Sequence, residues 1–188
     1  DEVYEHLVFD GRKHIPLMTL PGMRERVVRC GSAGKIFSLT GWKVGWVTGA
    51  AAPIDAITKT HQFLTFTTPP GLQLGVARGL EHEIDFTLNL TRELQRNRDL
   101  LAQGLSRLGF DVLPSEGTYF LTAGISSLTN EPDRVFCERL VRQAGVAAIP
   151  LSAFFTGGKP DTFIRFAFCK RRAVIEEALS RLHRHFAK

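Results

Sequence analysis

Short apolar runs punctuated by turn residues fill the first third of the chain. Tyr4–Phe9 is one such run, and it stops at Asp10-Gly11, a turn signal. Pro21-Gly22 marks another turn. Val27–Cys30 reads as a buried strand and Val44–Thr48 as the next. Pro53 suits the first turn of a helix that carries Ile54 and Ile57 on one face. Thr67-Thr-Pro-Pro-Gly71 breaks the chain, and beyond it Leu72, Val76 and Leu80 recur at helical spacing. From about Leu88 to Leu108 the pattern is long and amphipathic. Leu90, Leu94, Leu101, Leu105 and Leu108 line one helical face, polar residues fill most of the rest, and Gly109 is the stop. A helix of this length could link two domains.

After Gly109 the pattern shifts. Phe110–Leu113, Thr118–Thr122, Val146–Ile149 and Phe163–Phe168 are strand-like. Val135, Phe136, Leu140, Val141 and Ala144 form a helix face ended by Gly145. Ile175, Ala178, Leu179, Leu182 and Phe186 make a closing helix. Strands covered by helices predict an α+β layer.

Composition narrows the class. The 188 residues are 44% hydrophobic, enough for one large or two small cores. There is no apolar run of about 18 residues, as a membrane helix requires, and no charged-then-apolar leader. The chain opens at Asp1 without a Met and reads as the tail of a longer protein. Its three cysteines, Cys30, Cys137 and Cys169, are widely spaced in apolar surroundings, which fits reduced thiols of a cytoplasmic protein. None is paired with His or Cys at metal-ligand spacing. The formal charge of +5 is mostly scattered. The clusters at Lys170–Arg172 and Arg181–Arg184 lie at the ends of a helical pattern and read as a solvated face, so nucleic acid is not the expected partner. A modest positive charge also suits anionic small substrates.

The chemistry centres on Cys30–Gly49. Lys35 stands among Gly31, Ser32, Ala33 and Gly34, between two apolar runs. Glycines let backbone approach a ligand closely, and an amine held near apolar groups becomes a nucleophile. Two other motifs share these letters. Serine β-lactamases have Ser-x-x-Lys but also S-D-N and K-T-G, neither of which occurs here. A P-loop ending at Lys35 would need Gly at 29 and Ser or Thr at 36, where this chain has Arg29 and Ile36.

Ser32-Ala-Gly-Lys35 followed by Gly41-Trp-Lys-Val-Gly-Trp46 resembles the cofactor-lysine segment of fold-type I pyridoxal-phosphate enzymes, the class I/II or aspartate-aminotransferase-like family. Asp1-Glu-Val-Tyr4 is similar to the family's D-x-x-Y element, at its usual distance before the lysine. The resemblance covers nearly the whole chain and matches the family's C-terminal half, within the group holding kynurenine, methionine and succinyldiaminopimelate aminotransferases. It implies an α/β fold. Residues 1–90 would be the C-terminal part of the cofactor-binding large domain, with a mixed, mainly parallel sheet. Residues 91–188 would be an α+β small domain, joined through the long helix at about 88–108.

The resemblance also implies roles. Lys35 would carry pyridoxal 5'-phosphate and then move the substrate α-proton. Asp1 would pair with the pyridine nitrogen and Tyr4 with the phenolic oxygen. Ser32 and Lys43 would bind the phosphate. Lys43 stands where the family often has Arg; the lysine keeps the charge but loses the bidentate fork. Arg165, alone among apolar residues in Phe163–Phe168, needs an anionic partner; the family's R-F motif makes that partner the substrate carboxylate. Gly117-Thr-Tyr-Phe120 resembles a segment near the substrate entrance, with Tyr119 either lining it or packing in a core strand. His61–Gln73 resembles the segment that reaches a neighbouring subunit's site, with Phe66 its candidate. The implied activity is amino-group transfer between an amino acid and a 2-oxo acid, by a homodimer of the full-length protein. A pyridoxal-phosphate C–S β-lyase and a non-catalytic regulatory domain or fragment share these residues as alternatives. The 188 residues alone are expected to be inactive, with Asp1 poorly ordered at the terminus.

Overall fold

The computed structural model describes residues 1–186. The chain divides into two compact units, Asp1–Thr91 and a second beginning at Arg92. No described helix is long and apolar enough to cross a membrane.

The first unit is built on a hairpin. Strand β1 (Arg29–Ser32) pairs antiparallel with β2 (Gly45–Thr48), in the register Ser32 opposite Gly45 and Gly31 opposite Trp46. Between them lie the one-turn helix α1 (Ala33–Ile36) and a 3₁₀ turn, Thr40–Trp42. Helices α2 (Ala51–Leu64) and α3 (Pro70–His82) follow. Proline opens α3 at a position whose N–H has no helical acceptor. Ala33, Val44 and Val76 form a small core against which Phe37, Trp46 and Leu72 pack. Helix α2 buries none of its residues.

Helix α4 (Ile84–Arg107) begins in the first unit and continues into the second. It starts four residues before the position expected from the leucine pattern and ends one residue short of it. Leu94, Leu101 and Leu105 are buried along its face. Gly109, at φ +90°, turns the chain out of it.

The second unit is a four-stranded antiparallel sheet of β3 (Asp111–Val112), β4 (Phe120–Gly124), β5 (Ile149–Pro150) and β6 (Phe163–Ala167), in the order β3-β4-β6-β5. Helix α5 (Asp133–Arg139) runs into a π-turn, Leu140–Ala144, which Gly145 ends in the left-handed region at φ 65°. Helix α6 (Arg172–Phe186) closes the unit. Phe110 stands edge-on to Phe136, Phe166 and Phe186, with ring centroids 5.6–6.2 Å away. Those contacts put α5, α6 and one face of β6 around a single core. Asn97, buried on α4, donates to the carbonyls of Phe168 and Lys170 at 3.3 and 2.8 Å, fixing the exit of β6 to the helix.

The α/β organisation expected from the sequence is present. The parallel strands implied by the resemblance are not in this stretch, since every ladder among the described residues is antiparallel. β1 and β2 are consecutive, and the one turn of helix between them is too short for the crossover that a parallel pair needs. Several boundaries also differ. Val146–Ile149 pairs only from Ile149, and Thr118 adopts φ 68° in a bend before β4. The apolar run Tyr4–Phe9 forms turns and a single bridge, because Glu5 and Leu7 N–H groups bond back to the Glu2 and Tyr4 carbonyls. Cys30 and Cys169 are exposed and only Cys137 is buried.

Candidate active site

The lysine segment is shaped by its small residues. The Ser32 side chain accepts the Gly34 N–H at 3.2 Å and caps α1. Ala33 N–H bonds the Val44 carbonyl at 3.1 Å, and Thr40 Oγ1 bonds the Gly34 carbonyl at 3.2 Å. A Cβ at Gly31 would lie 2.3 Å from the Trp46 indole nitrogen, so the indole packs where a side chain would stand. Lys35 is half-buried on α1. Lys43 is exposed and left-handed, at φ 55°, beside the end of the β1–β2 ladder at which Ser32 lies. Ser32, Lys35 and Lys43 thus gather at one end of the hairpin.

Tyr4 joins them. Lys35 Nζ stands 5.7 Å from the centroid of its ring, within cation–π range. The Asp1–Tyr4 segment is held by Glu2, the residue between the two predicted site positions. Glu2 N–H donates to the Cys30 carbonyl of β1 at 3.0 Å. Its carboxylate meets Arg29 Nε at 2.8 Å, His14 Nε2 at 3.0 Å and the Leu17 N–H at 2.9 Å. Arg29 also pairs with Glu5. Burial alone would push the Glu2 carboxyl up, but the His14 and Leu17 hydrogen bonds and the Arg29 charge outweigh it and hold the group below its usual range. These contacts tie the segment to β1. Asp1 itself is exposed, with Oδ1 accepting the Val3 N–H at 3.1 Å.

Arg165 lies in the second unit, on the face of β6 opposite Ile164 and Phe166, which are buried in the core. Its guanidinium carbon is 4.1 Å from the Phe120 ring centroid and 4.6 Å from that of Phe154. Its Nε is buried without a hydrogen-bond partner. A buried donor left unpaired is costly, and a planar two-oxygen anion is the partner a guanidinium fits best. Tyr119 sits just before β4 with its ring 4.6 Å from that of Phe120. Phe66 is 70% exposed, on the loop between α2 and α3.

Sequence reasoning missed Phe120 and Phe154 as neighbours of the arginine. Leu151-Ser-Ala-Phe-Phe155 forms a 3₁₀ turn, Leu151–Phe154, that shows neither strand nor helix periodicity. It also missed the fully buried Asp133, for which a position at a helix start was the only signal.

A family profile described as aminotransferase class I and II matches residues 1–182. The chain belongs to that family. Over 97% of its length the chain is 41% identical to a probable N-succinyldiaminopimelate aminotransferase of Mycobacterium tuberculosis, of which it covers 48%. It is likewise 41% identical to the methionine aminotransferase of Escherichia coli, of which it covers 47%. The solved structure of the N-succinyldiaminopimelate aminotransferase from Mycobacterium tuberculosis matches 96% of this chain with a TM-score of 0.92 and 42% identity, over 47% of its own length. The chain thus spans about half the length of the relatives it matches.

Proposed function

We propose that this chain supplies the cofactor-lysine and carboxylate-binding parts of a pyridoxal-phosphate-dependent aminotransferase that moves an amino group between an amino acid and a 2-oxo acid. The observation that carries the reading is the gathering of Ser32, Lys35 and Lys43 at one end of the hairpin, with Tyr4 against the lysine. In this reading residues 1–90 end the cofactor-binding large domain and residues 91–188 form the small domain. The whole enzyme is a cytoplasmic homodimer. Exposed Phe63, Leu64 and Phe66 support the dimer and free cysteines the compartment.

The donor set fits pyridoxal 5'-phosphate. Lys35 offers the amine for its aldehyde, and Ser32 and Lys43 offer a hydroxyl and a charge for its phosphate. Tyr4 offers a hydroxyl for its phenolic oxygen, and Asp1 a carboxylate for its ring nitrogen. When bound, the cofactor supplies an electron sink for the α-carbon. The chain's residues do the rest. Arg165 would hold the substrate carboxylate through two parallel N–H bonds. Lys35 would hold the cofactor through its amine and, when that amine is free, would serve as the base for the substrate α-proton. Tyr4 beside Nζ keeps the amine from swinging out of reach.

The test is borohydride reduction of the protein with pyridoxal 5'-phosphate, followed by peptide mapping. The pyridoxyl group is expected on Lys35; labelling of a different lysine would sink the assignment. These residues alone are expected to transaminate negligibly.

A further inference from the structure

Asp133 is a buried carboxylate with no ion pair among the described residues, an arrangement that is costly unless hydrogen bonds take its place. Both of its oxygens are used by one residue. Ser152 N–H donates to Oδ2 at 2.8 Å and Ser152 Oγ donates to Oδ1 at 2.7 Å. Ser152 belongs to the 3₁₀ turn Leu151–Phe154, and Phe154, two residues on, sits 4.6 Å from the Arg165 guanidinium carbon. The backbone N–H of Asp133 donates to the Asp161 carbonyl at 2.8 Å, just ahead of β6, the strand that carries Arg165. One residue therefore ties down both the turn that covers the arginine and the approach to its strand.

We propose that Asp133 is a positioning residue for Arg165: through Ser152 it holds Phe154 against the guanidinium, which is thereby fixed while its N–H donors stay available. The inference rests on the reading of Arg165 as the carboxylate-binding residue. Phe154 is 56% exposed, so burial alone holds its ring weakly and its place is set by the backbone beneath it. Neither Phe154 nor Phe120 consumes a guanidinium donor in a conventional hydrogen bond, and Nε is left unpaired. An arginine clamped by rings loses little freedom on meeting an anion, so more of the contact appears as affinity.

The test reads Arg165 directly, by NMR of its Hδ and Nε–H signals in the 188-residue protein. Phe154→Ala defines the positions without that ring. Ser152→Ala and Asp133→Ala are expected to move the signals toward those positions, and Ser152→Thr to restore them. Titration with 2-oxobutanoate is expected to show about tenfold weaker binding for Asp133→Ala, part of the roughly hundredfold that a 1 Å misplacement can cost. Should Asp133→Ala fail to fold, Ser152→Ala decides, since it removes one hydroxyl donor only. Arg165 signals that stay at their wild-type positions in the folded Ser152 and Asp133 variants would overturn the proposal. A 2-oxobutanoate titration that Arg165→Lys leaves unchanged would instead sink the carboxylate reading, with the ring shifts still deciding the role of Asp133.

Discussion

The two units put their chemistry on different foundations. The second unit, which carries Arg165, has a closed core. Phe136, Phe168, Leu105, Leu121, Ile125, Leu140, Ile164 and Leu182 are all essentially inaccessible to water. Around Lys35 only Leu7 and Phe9 reach that depth among the large side chains, while Phe63, Leu64, Phe66 and Leu74 stand 70–85% exposed. The arginine unit is thus a self-sufficient packing problem. The lysine unit is a well-made hairpin with an open apolar flank of the kind that normally meets other polypeptide. A site can be locally shaped by hydrogen bonds and glycines without the surrounding unit having a deep core.

The largest effect should come from the closed side. Phe136→Ala is expected to cost about 3–5 kcal/mol, the range for emptying an aromatic core position. Phe63→Ala on α2 should stay within about 0.5 kcal/mol of wild type. Denaturant melts of the two variants measure this, and equal losses would erase the contrast.

A smaller effect isolates the tight spot of the open unit. Gly31→Ala drives a methyl into the Trp46 indole and should cost about 1–3 kcal/mol, as overpacking does. Adding Trp46→Leu should recover part of the loss, which a double-mutant cycle followed by thermal melting would read.

Thiol chemistry gives a third measure. Burial, with Asp133 adding to it, pushes the Cys137 thiol up to about 12. Cys30 and Cys169 are exposed. At mildly alkaline pH a disulfide reagent should titrate those two quickly and Cys137 only after unfolding. Rapid reaction of all three would mean that the second unit opens readily.

The smallest effect is in the pH dependence. The Glu2 carboxyl is held below its ordinary 4.5 in the folded chain. Its contribution is therefore fully present above that value and is lost as pH falls through the folded value. Wild type should lose melting temperature on acidification across this window, and Glu2→Gln should lose less. Identical slopes would show that the Glu2–Arg29–His14 cluster does not hold the segment.

Much of this was legible in the sequence because periodicity and motif spacing are local. The leucine ladder of α4, the turn glycines and the Ser32–Lys35 pattern each occupy one stretch of chain. What could not be read depends on partners distant in sequence. Glu2 anchors Asp1–Tyr4 through Arg29, His14 and Leu17, which no local pattern links. Asp133 meets Ser152, and Phe154 meets Arg165, only after β5 and β6 have paired. Parallel strands were expected from likeness to a family rather than from any pattern in these residues, and the ladders present in this stretch are antiparallel.

The strand order β3-β4-β6-β5 also sets a timetable. β6, the last of these four strands in chain order, is the one that lies between β4 and β5, and among the described residues β5 pairs with β6 alone. Until residue 167 has emerged, β5 has no edge to join and β4 offers one bare edge to any passing strand. Translation halted between β5 and β6 would therefore yield a sheet without its middle, with β5 unjoined, and the strand that bears Arg165 is the one that ends this exposure.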